Sequence, residues 1–110
     1  MKFNIIKVVG TDEVELTPYP NGVSTVPMGK SRLIYLMVLT NTATTSNTLT
    51  VNIYKDATLE TSMNFIVQAS STLQIISKED SPLLVVPQGR TLKAVAGASS
   101  IYVLITGEDI

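Results

Sequence analysis

The sequence predicts an all-β protein, a single antiparallel β-sandwich of about eight or nine short strands with essentially no helix. Three observations lead to this prediction: apolar and polar residues alternate with a period of two, the alternating segments are rich in β-branched residues, and short polar turns separate them. No segment has the apolar stripe of a helix. The pattern leaves two strand orders open, a jelly roll and an immunoglobulin-like arrangement.

Alternation is clearest in residues 48–54, where Leu49, Val51 and Ile53 share one face, and in residues 101–106. Weaker alternation and β-branched composition mark the remaining candidates. In chain order the predicted strands span residues 2–9, 13–16, 23–26, 32–40, 48–54, 63–67, 72–76, 83–86, 91–96 and 101–106.

Turn residues fall between these segments. Asn21-Gly22 is a pair that tolerates the positive φ angles of a tight turn, and Pro27-Met28-Gly29 and Pro87-Gln88-Gly89 are turns by the same reasoning. Residues 41–47 are almost all Thr, Ser and Asn, which predicts a hairpin loop too polar for the core.

The 110 residues fit one domain, with 1–12 either its first strand or an N-terminal arm. The chain has no histidine and no cysteine, so it lacks the usual general base, the thiolate nucleophile and the metal ligands that these two residue types supply. The formal net charge is −1, and the sequence has no run of basic residues. Both observations argue against nucleic acid as a partner. We expect no signal peptide, because Asn4 and Lys7 interrupt the N-terminal apolar stretch and no small-residue cleavage site follows. We also expect a soluble protein without a membrane-spanning segment, because the longest apolar run, residues 33–39, is too short to span a bilayer.

Carboxylates are the remaining candidates for catalysis or metal binding. Paired carboxylates can hydrolyse glycosides, and residues 11–15 offer alternating oxygen ligands to calcium. We expect instead that each acidic cluster is solvated in a turn or at a chain end, and we predict no catalytic residue, no metal and no cofactor. The clusters are Asp12, Glu13 and Glu15, then Glu79 and Asp80, then Glu108 and Asp109.

Three segments are apolar on both faces, which a sandwich strand with one wet face should not be. Residues 32–40 place Ile34, Leu36 and Val38 on one side, with Leu33, Tyr35, Met37 and Leu39 on the other. Residues 101–106 and 83–86 behave similarly. Either loops of the same chain cover the second faces, or a second protomer or a partner protein does, and we favour the latter. The predicted interface residues are Phe3, Ile5, Tyr35, Met37, Tyr102 and Leu104.

Residues 69–108 carry a longer pattern. Ala69-Ser70-Ser71-Thr72-Leu73 leads to the Pro87-Gln88-Gly89-Arg90-Thr91-Leu92 turn and to a final Ile101-Tyr102-Val103-Leu104-Ile105-Thr106-Gly107-Glu108. This pattern resembles small β-sandwich virion proteins of tailed bacteriophages, including head decoration, neck, tail and fibre components. Residues 36–42 and 49–54 are similar to their central hairpin, whereas Arg90 stands where they commonly have an acidic residue.

The resemblance implies a non-enzymatic structural protein that is assembled into a virion in the host cytoplasm. Its partners would be copies of itself, as a homo-oligomer, and other virion proteins such as a major capsid or tail protein. A carbohydrate- or receptor-binding module is the alternative, and it would need two or more of the tyrosines on one exposed face. The four tyrosines are Tyr19, Tyr35, Tyr54 and Tyr102.

Overall fold

The computed structural model describes residues 1–19, 22–78 and 81–110. In these residues the chain forms nine strands and no helix, which confirms the predicted all-β class. The strands are β1 (Lys2–Val9), β2 (Val14–Glu15), β3 (Arg32–Asn41), β4 (Asn47–Lys55), β5 (Thr58–Val67), β6 (Ser71–Ile76), β7 (Leu84–Val86), β8 (Arg90–Ala96) and β9 (Ile101–Asp109).

The strands form two antiparallel sheets. The five-stranded sheet has the order β1-β9-β3-β6, with β7 also paired to β3, and the four-stranded sheet has the order β2-β8-β4-β5. Pairing is nested along the chain, since β1 joins β9, β2 joins β8, β3 joins β6 and β4 joins β5. A long hairpin rolled up in this way is a jelly roll, one of the two orders that the sequence left open.

The core lies between the two sheets and contains the inward half of each alternating pattern. Leu49, Val51 and Ile53 of β4 are buried as predicted, each exposed by 6% or less. The facing set from β9 is Ile101, Val103 and Ile105, which lines the same interior. Each such side chain contributes about 1.5–3 kcal/mol by leaving water, so these two strands supply much of the driving force.

β3 departs from simple alternation at Tyr35. The register between β3 and β9 shifts between Ile34 and Leu36, so Tyr35 is the extra residue of a β-bulge. After the bulge, Met37 and Leu39 face the core, whereas Leu36 and Val38 face outward. The prediction that Ile34, Leu36 and Val38 share one face is therefore wrong, because one inserted residue exchanges the two faces.

Two Pro-x-Gly turns meet at one end of the sandwich. Gly29 and Gly89 have φ angles of 78° and 77°, the left-handed conformation that glycine adopts without steric cost. In both turns the proline carbonyl accepts a hydrogen bond from the backbone amide of the residue after glycine. This bond and the positive φ of glycine define a type II turn. The Gly29 amide also donates to Gln88 Oε1 at 2.8 Å and joins the turns. Asn21 of the third predicted turn lies outside the described residues.

The polar loop at residues 41–47 connects β3 of one sheet to β4 of the other, so it is a crossing between sheets and the hairpin prediction is wrong. Residues 36–42 and 49–54 therefore do not form a hairpin with each other. Asn41 and Asn47 at its ends are buried, and their side chains form hydrogen bonds with backbone groups of the loop and of the neighbouring segments. Asn41 Nδ2 donates to the Val67 carbonyl, and Asn47 Nδ2 donates to the Ser99 carbonyl.

Most other predicted strand boundaries agree with the structure or differ from it by one residue, and β9 extends three residues beyond its predicted end. The largest extension is β5, which begins at Thr58 instead of residue 63. Residues 23–26 form no strand, although Thr25 makes an isolated bridge to Thr91 and the two hydroxyl groups lie 2.8 Å apart. This segment is held by the edge of β8 without continuing the sheet.

A buried ion pair joins the first residue of β3 to the last residue of β9. Arg32 is 1% exposed, and its Nε and NH2 atoms donate to the two carboxylate oxygens of Asp109 at 2.8 and 2.9 Å. Its remaining donors bond the carbonyls of Val23 and Ser24. The prediction that Asp109 is a solvated chain-end carboxylate is wrong, because strand alternation turns it inward against Arg32.

We expect Asp109→Asn to lower the free energy of unfolding by about 3–5 kcal/mol, because it leaves the buried Arg32 guanidinium without its counter-charge. Urea denaturation measures the change. Glu60→Gln is the matched control, since Glu60 pairs with Arg90 on the surface and such exposed pairs contribute about 0.2–1 kcal/mol. If both variants lost the same free energy of unfolding, the buried pair of Arg32 and Asp109 would contribute no more to stability than an exposed pair, and the prediction would be wrong.

Candidate protein interface

The outer faces of the two sheets differ in polarity. All three segments that the sequence marks as apolar on both sides belong to the five-stranded sheet, as β3, β7 and β9. The four-stranded sheet instead has mostly polar outward residues, such as Thr50, Asn52 and Asn64. The outward apolar residues of the five-stranded sheet are Ile6, Val8, Leu33, Leu36, Val38, Ile76, Val85, Tyr102 and Leu104.

Strand register collects five of these residues into one patch. Ile6 lies opposite Leu104, which lies opposite Val38 on the next strand. Val8 lies opposite Tyr102 in the adjacent row. Directly opposed residues on one face of a sheet have their Cβ atoms about 5 Å apart, so these side chains form a continuous surface. We call Ile6, Val8, Val38, Tyr102 and Leu104 the apolar face.

The apolar face is concave. A depression of about 450 Å³ lies over it, bordered also by Lys7, Thr40 and Val103. A second depression of about 480 Å³ continues along the same sheet past Tyr35 and Thr106. Ile6, Val8 and Tyr102 are 65%, 54% and 49% exposed, so the patch is accessible to a partner.

The structure divides the six predicted interface residues into two groups. Tyr102 and Leu104 belong to the apolar face, and Tyr35 borders the neighbouring depression. Phe3, Ile5 and Met37 are 6%, 0% and 4% exposed and belong to the core, so their assignment to the surface is wrong.

Two local features explain these corrections. The bulge at Tyr35 turns Met37 inward, although simple alternation places the two residues on one face. β1 pairs with β9 along its whole length and is part of the sheet, with Phe3 packed over Gly107, where a Cβ atom would come within 2.7 Å of the Phe3 ring. Of the two possibilities for residues 1–12, a first strand or an arm, the structure has the first strand, Lys2–Val9.

Sequence reasoning missed Ile6 and Val8 as surface residues. They belong to the pairs Ile5-Ile6 and Val8-Val9, and such pairs place one member on each face of a strand. Ile6 and Val8 are the outward members. The prediction instead assigned Phe3 and Ile5 to the interface. These two residues share one face of β1, and that face is the buried one. The doubled apolar pairs were the signal that could have found them.

A polar cluster lies on the outer face of the four-stranded sheet. The Glu13 carboxylate accepts bonds from Asn52 Nδ2 at 2.7 Å and from the Tyr54 hydroxyl at 3.0 Å. The Lys93 ammonium lies 4.7 Å from the centre of the Tyr54 ring, a cation–π contact. Asn52 Oδ1 is buried without a hydrogen-bond partner among the described residues.

This cluster has one carboxylate, which limits its chemistry. In the described ranges no three acidic, histidine or cysteine residues come together as a candidate metal site, so the calcium alternative at residues 11–15 gains no support. Glu13 itself is engaged by two side chains of β4 instead of being solvated alone. Glu79 and Asp80 lie outside the described residues.

The tyrosines are dispersed. Tyr54 is on the outer face of the four-stranded sheet, whereas Tyr35 and Tyr102 border the two depressions of the five-stranded sheet. Tyr102 lies opposite Thr40 on β3, five residues beyond Tyr35, so the two rings are separated by roughly 15 Å. One sugar ring could not stack on both of them.

We expect the Tyr54 hydroxyl to titrate above the usual range of tyrosine. Its hydrogen bond to Glu13 raises the pKa, and desolvation and the negative charge of Glu13 act in the same direction. Glu13→Gln should lower the pKa of Tyr54 towards that of free tyrosine, because it removes the carboxylate acceptor and its charge. An absorbance titration of phenolate ionisation measures this, with Tyr102→Phe removing another tyrosine signal. An unchanged titration curve in Glu13→Gln would contradict the contact.

Comparison of the chain with protein-family models, with curated proteins and with solved structures gives no match. Across residues 1–19, 22–78 and 81–110, no helix is long and apolar enough to cross a membrane. The jelly-roll order and the contrast between the two outer faces are therefore the features on which a functional assignment depends.

Proposed function

We propose that this chain is a non-enzymatic structural protein of a virion, a capsid decoration or a neck or tail component. It acts by burying its apolar face against another protein subunit. In this role the jelly roll is a rigid support, and the outward side chains of the five-stranded sheet make the contact. The partners are copies of this chain and a neighbouring virion protein, such as a major capsid or tail protein.

The observation that carries this proposal is the apolar face itself. Contiguous exposed apolar patches are uncommon on monomeric proteins and mark interaction sites when they are large. The concavity over Ile6, Tyr102 and Leu104 is bordered by one charged residue, Lys7. The centres of protein interfaces are similarly depleted of charge and enriched in tyrosine.

Fold and sequence pattern add support of a weaker kind. Jelly rolls are frequent in viral capsid proteins and in lectins, although a fold alone does not determine function. The Pro-x-Gly-x-Thr-Leu turn of the phage resemblance is present as a type II turn between β7 and β8. On a symmetric particle, many modest contacts act together because each binding event raises the effective concentration for the next.

We expect Leu104→Asp to abolish assembly through the apolar face without unfolding the chain. Leu104 is half-buried in the centre of that face, and a carboxylate there would lose its hydration on contact with a partner. Sedimentation and light scattering up to millimolar concentration measure assembly, and the hydrophobic dye ANS reports on the free face. The unmodified protein should bind ANS and form species larger than a dimer, and both signals should fall at least tenfold in Leu104→Asp.

Val95→Asp is the matched control, because Val95 is a half-buried outward residue on a central strand of the other sheet. It should keep both dye binding and assembly. A thermal melt checks that each variant is folded. If the unmodified protein stays monomeric and binds no dye, or if Val95→Asp is affected as strongly as Leu104→Asp, the proposal is wrong.

The second candidate function is carbohydrate binding. Two observations favour it: Tyr102 is half-exposed beside the polar Thr40, and the cluster of Glu13, Asn52 and Tyr54 presents acceptors and a phenol on the opposite sheet. A glycan array discriminates between the functions. Binding that is lost in Tyr102→Ala or Tyr54→Ala would support this alternative, whereas an array without hits supports the structural role.

A further inference from the structure

β5 is the edge strand of the four-stranded sheet, and its outer side is unoccupied in the described part of the chain. The side to which each β5 residue directs its N–H and C=O groups follows from the hydrogen bonds between β4 and β8. The Gly97 amide donates to the Thr48 carbonyl, so even-numbered residues of β4 direct their backbone groups towards β8. Odd-numbered residues of β4, such as Leu49 and Val51, therefore bond to β5.

The register transfers this pattern to β5. Leu49 lies opposite Phe65, and Val51 lies opposite Met63, so these two β5 residues bond to β4. The alternate residues Ser62, Asn64 and Ile66 then direct their N–H and C=O groups away from the sheet. The side chains of all three are exposed, and Ile66 is 64% exposed.

This edge lacks the features that usually prevent pairing. Residues 61–67 contain no charged residue and no proline. The bulge of the β4–β5 pair precedes them, at residue 60. Two other edges are protected: β1 carries two lysines and receives a bond from the Tyr19 amide to the Asn4 carbonyl, and β2 has only two residues. A long edge without such protection is a template for another strand.

We propose that a second copy of this chain pairs antiparallel with β5, with the two-fold axis at Asn64, to form a continuous eight-stranded sheet. The outward backbone groups fix the register, because Asn64 then pairs with the second copy's Asn64, and Ser62 pairs with the second copy's Ile66. Three such pairs exchange about six backbone hydrogen bonds. This contact is independent of the apolar face, which lies on the other sheet.

The same register covers an apolar cleft at the open side of the sandwich. The cleft holds about 250 Å³ between β5 and the other sheet. Pairing at Asn64 places Met63 opposite the second copy's Phe65, and the reverse, which adds two sulfur–aromatic contacts. The residues that line the cleft are Met37, Met63, Phe65, Ile75, Leu83 and Leu84.

Charge and area are consistent with a second copy as the occupant. In this register Glu60 lies opposite Gln68, so no like charges oppose each other. An edge roughly 23 Å long and roughly 20 Å thick gives roughly 450 Å² on each copy, or roughly 900 Å² in total. That area is near the lower limit for a specific interface. We therefore expect a dimer that dissociates at micromolar concentration instead of an obligate one.

The position of Asn64 on the axis provides the test. Asn64→Asp and Asn64→Lys are both made in the Leu104→Asp background, which removes assembly through the apolar face. Each places two like charges opposite each other, so each should be monomeric at concentrations where Leu104→Asp alone is a dimer. An equimolar mixture of the two should dimerise again, because unlike charges then meet. Sedimentation velocity over a concentration series measures mass, and hydrogen exchange should protect the amides of Ser62, Asn64 and Ile66 in the dimer.

Thr11→Asp and Thr11→Lys are matched controls, since Thr11 is exposed beside β2 at the opposite edge of the same sheet. In the same Leu104→Asp background, both should dimerise like Leu104→Asp alone. Leu104→Asp should also keep this dimer, so a failure here is distinct from a failure of the apolar face. The proposal is wrong if Leu104→Asp is monomeric at every concentration, if it still dimerises when Asn64→Asp is added to it, or if the mixture stays monomeric.

Discussion

The buried pair of Arg32 and Asp109 constrains the five-stranded sheet, because it sets the alignment of the two central strands. These residues are direct partners in the β3–β9 register and are almost inaccessible to water. A slip by one residue would leave a buried charge unpaired, which costs several kcal/mol. The Arg32 guanidinium also lies 5.1 Å from the centre of the Phe3 ring, which extends the constraint to β1. The side chains presented on the outside of this sheet depend on that alignment.

The two sheets share one interior but differ on their outer sides, and this difference organises the molecule's surface. The five-stranded sheet presents apolar side chains on its outer face, whereas the four-stranded sheet is polar outside and, within the described residues, has an unpaired edge at β5. A protein that used both regions would have one contact for its copies and one for its neighbours. Contacts in two directions are what extended symmetric assemblies require.

Strand positions were predictable because alternation and turn chemistry are local properties. Lys2–Val9 was predicted without error, and Leu49, Val51 and Ile53 face inward as expected. The faces of β3 were not predictable, since nothing in residues 32–40 marks Tyr35 as the inserted residue of a bulge. The burial of Asp109 depends on a partner 77 positions away in sequence, which no local pattern reveals. The surface assignment therefore succeeded for Tyr102 and Leu104, where alternation continues undisturbed; their role in binding stays a prediction.

The loop between β3 and β4 has a practical consequence. Asn41 and Asn47 anchor its ends, because their side-chain amides donate hydrogen bonds to backbone carbonyls. Thr44 and Ser46 between them are exposed. Foreign peptide placed between Thr45 and Ser46 would extend from the end of the sandwich without entering the core, since loop tips of this kind accept insertions. The jelly roll thus contains a natural position for displaying an epitope or a label, separate from both the apolar face and the β5 edge.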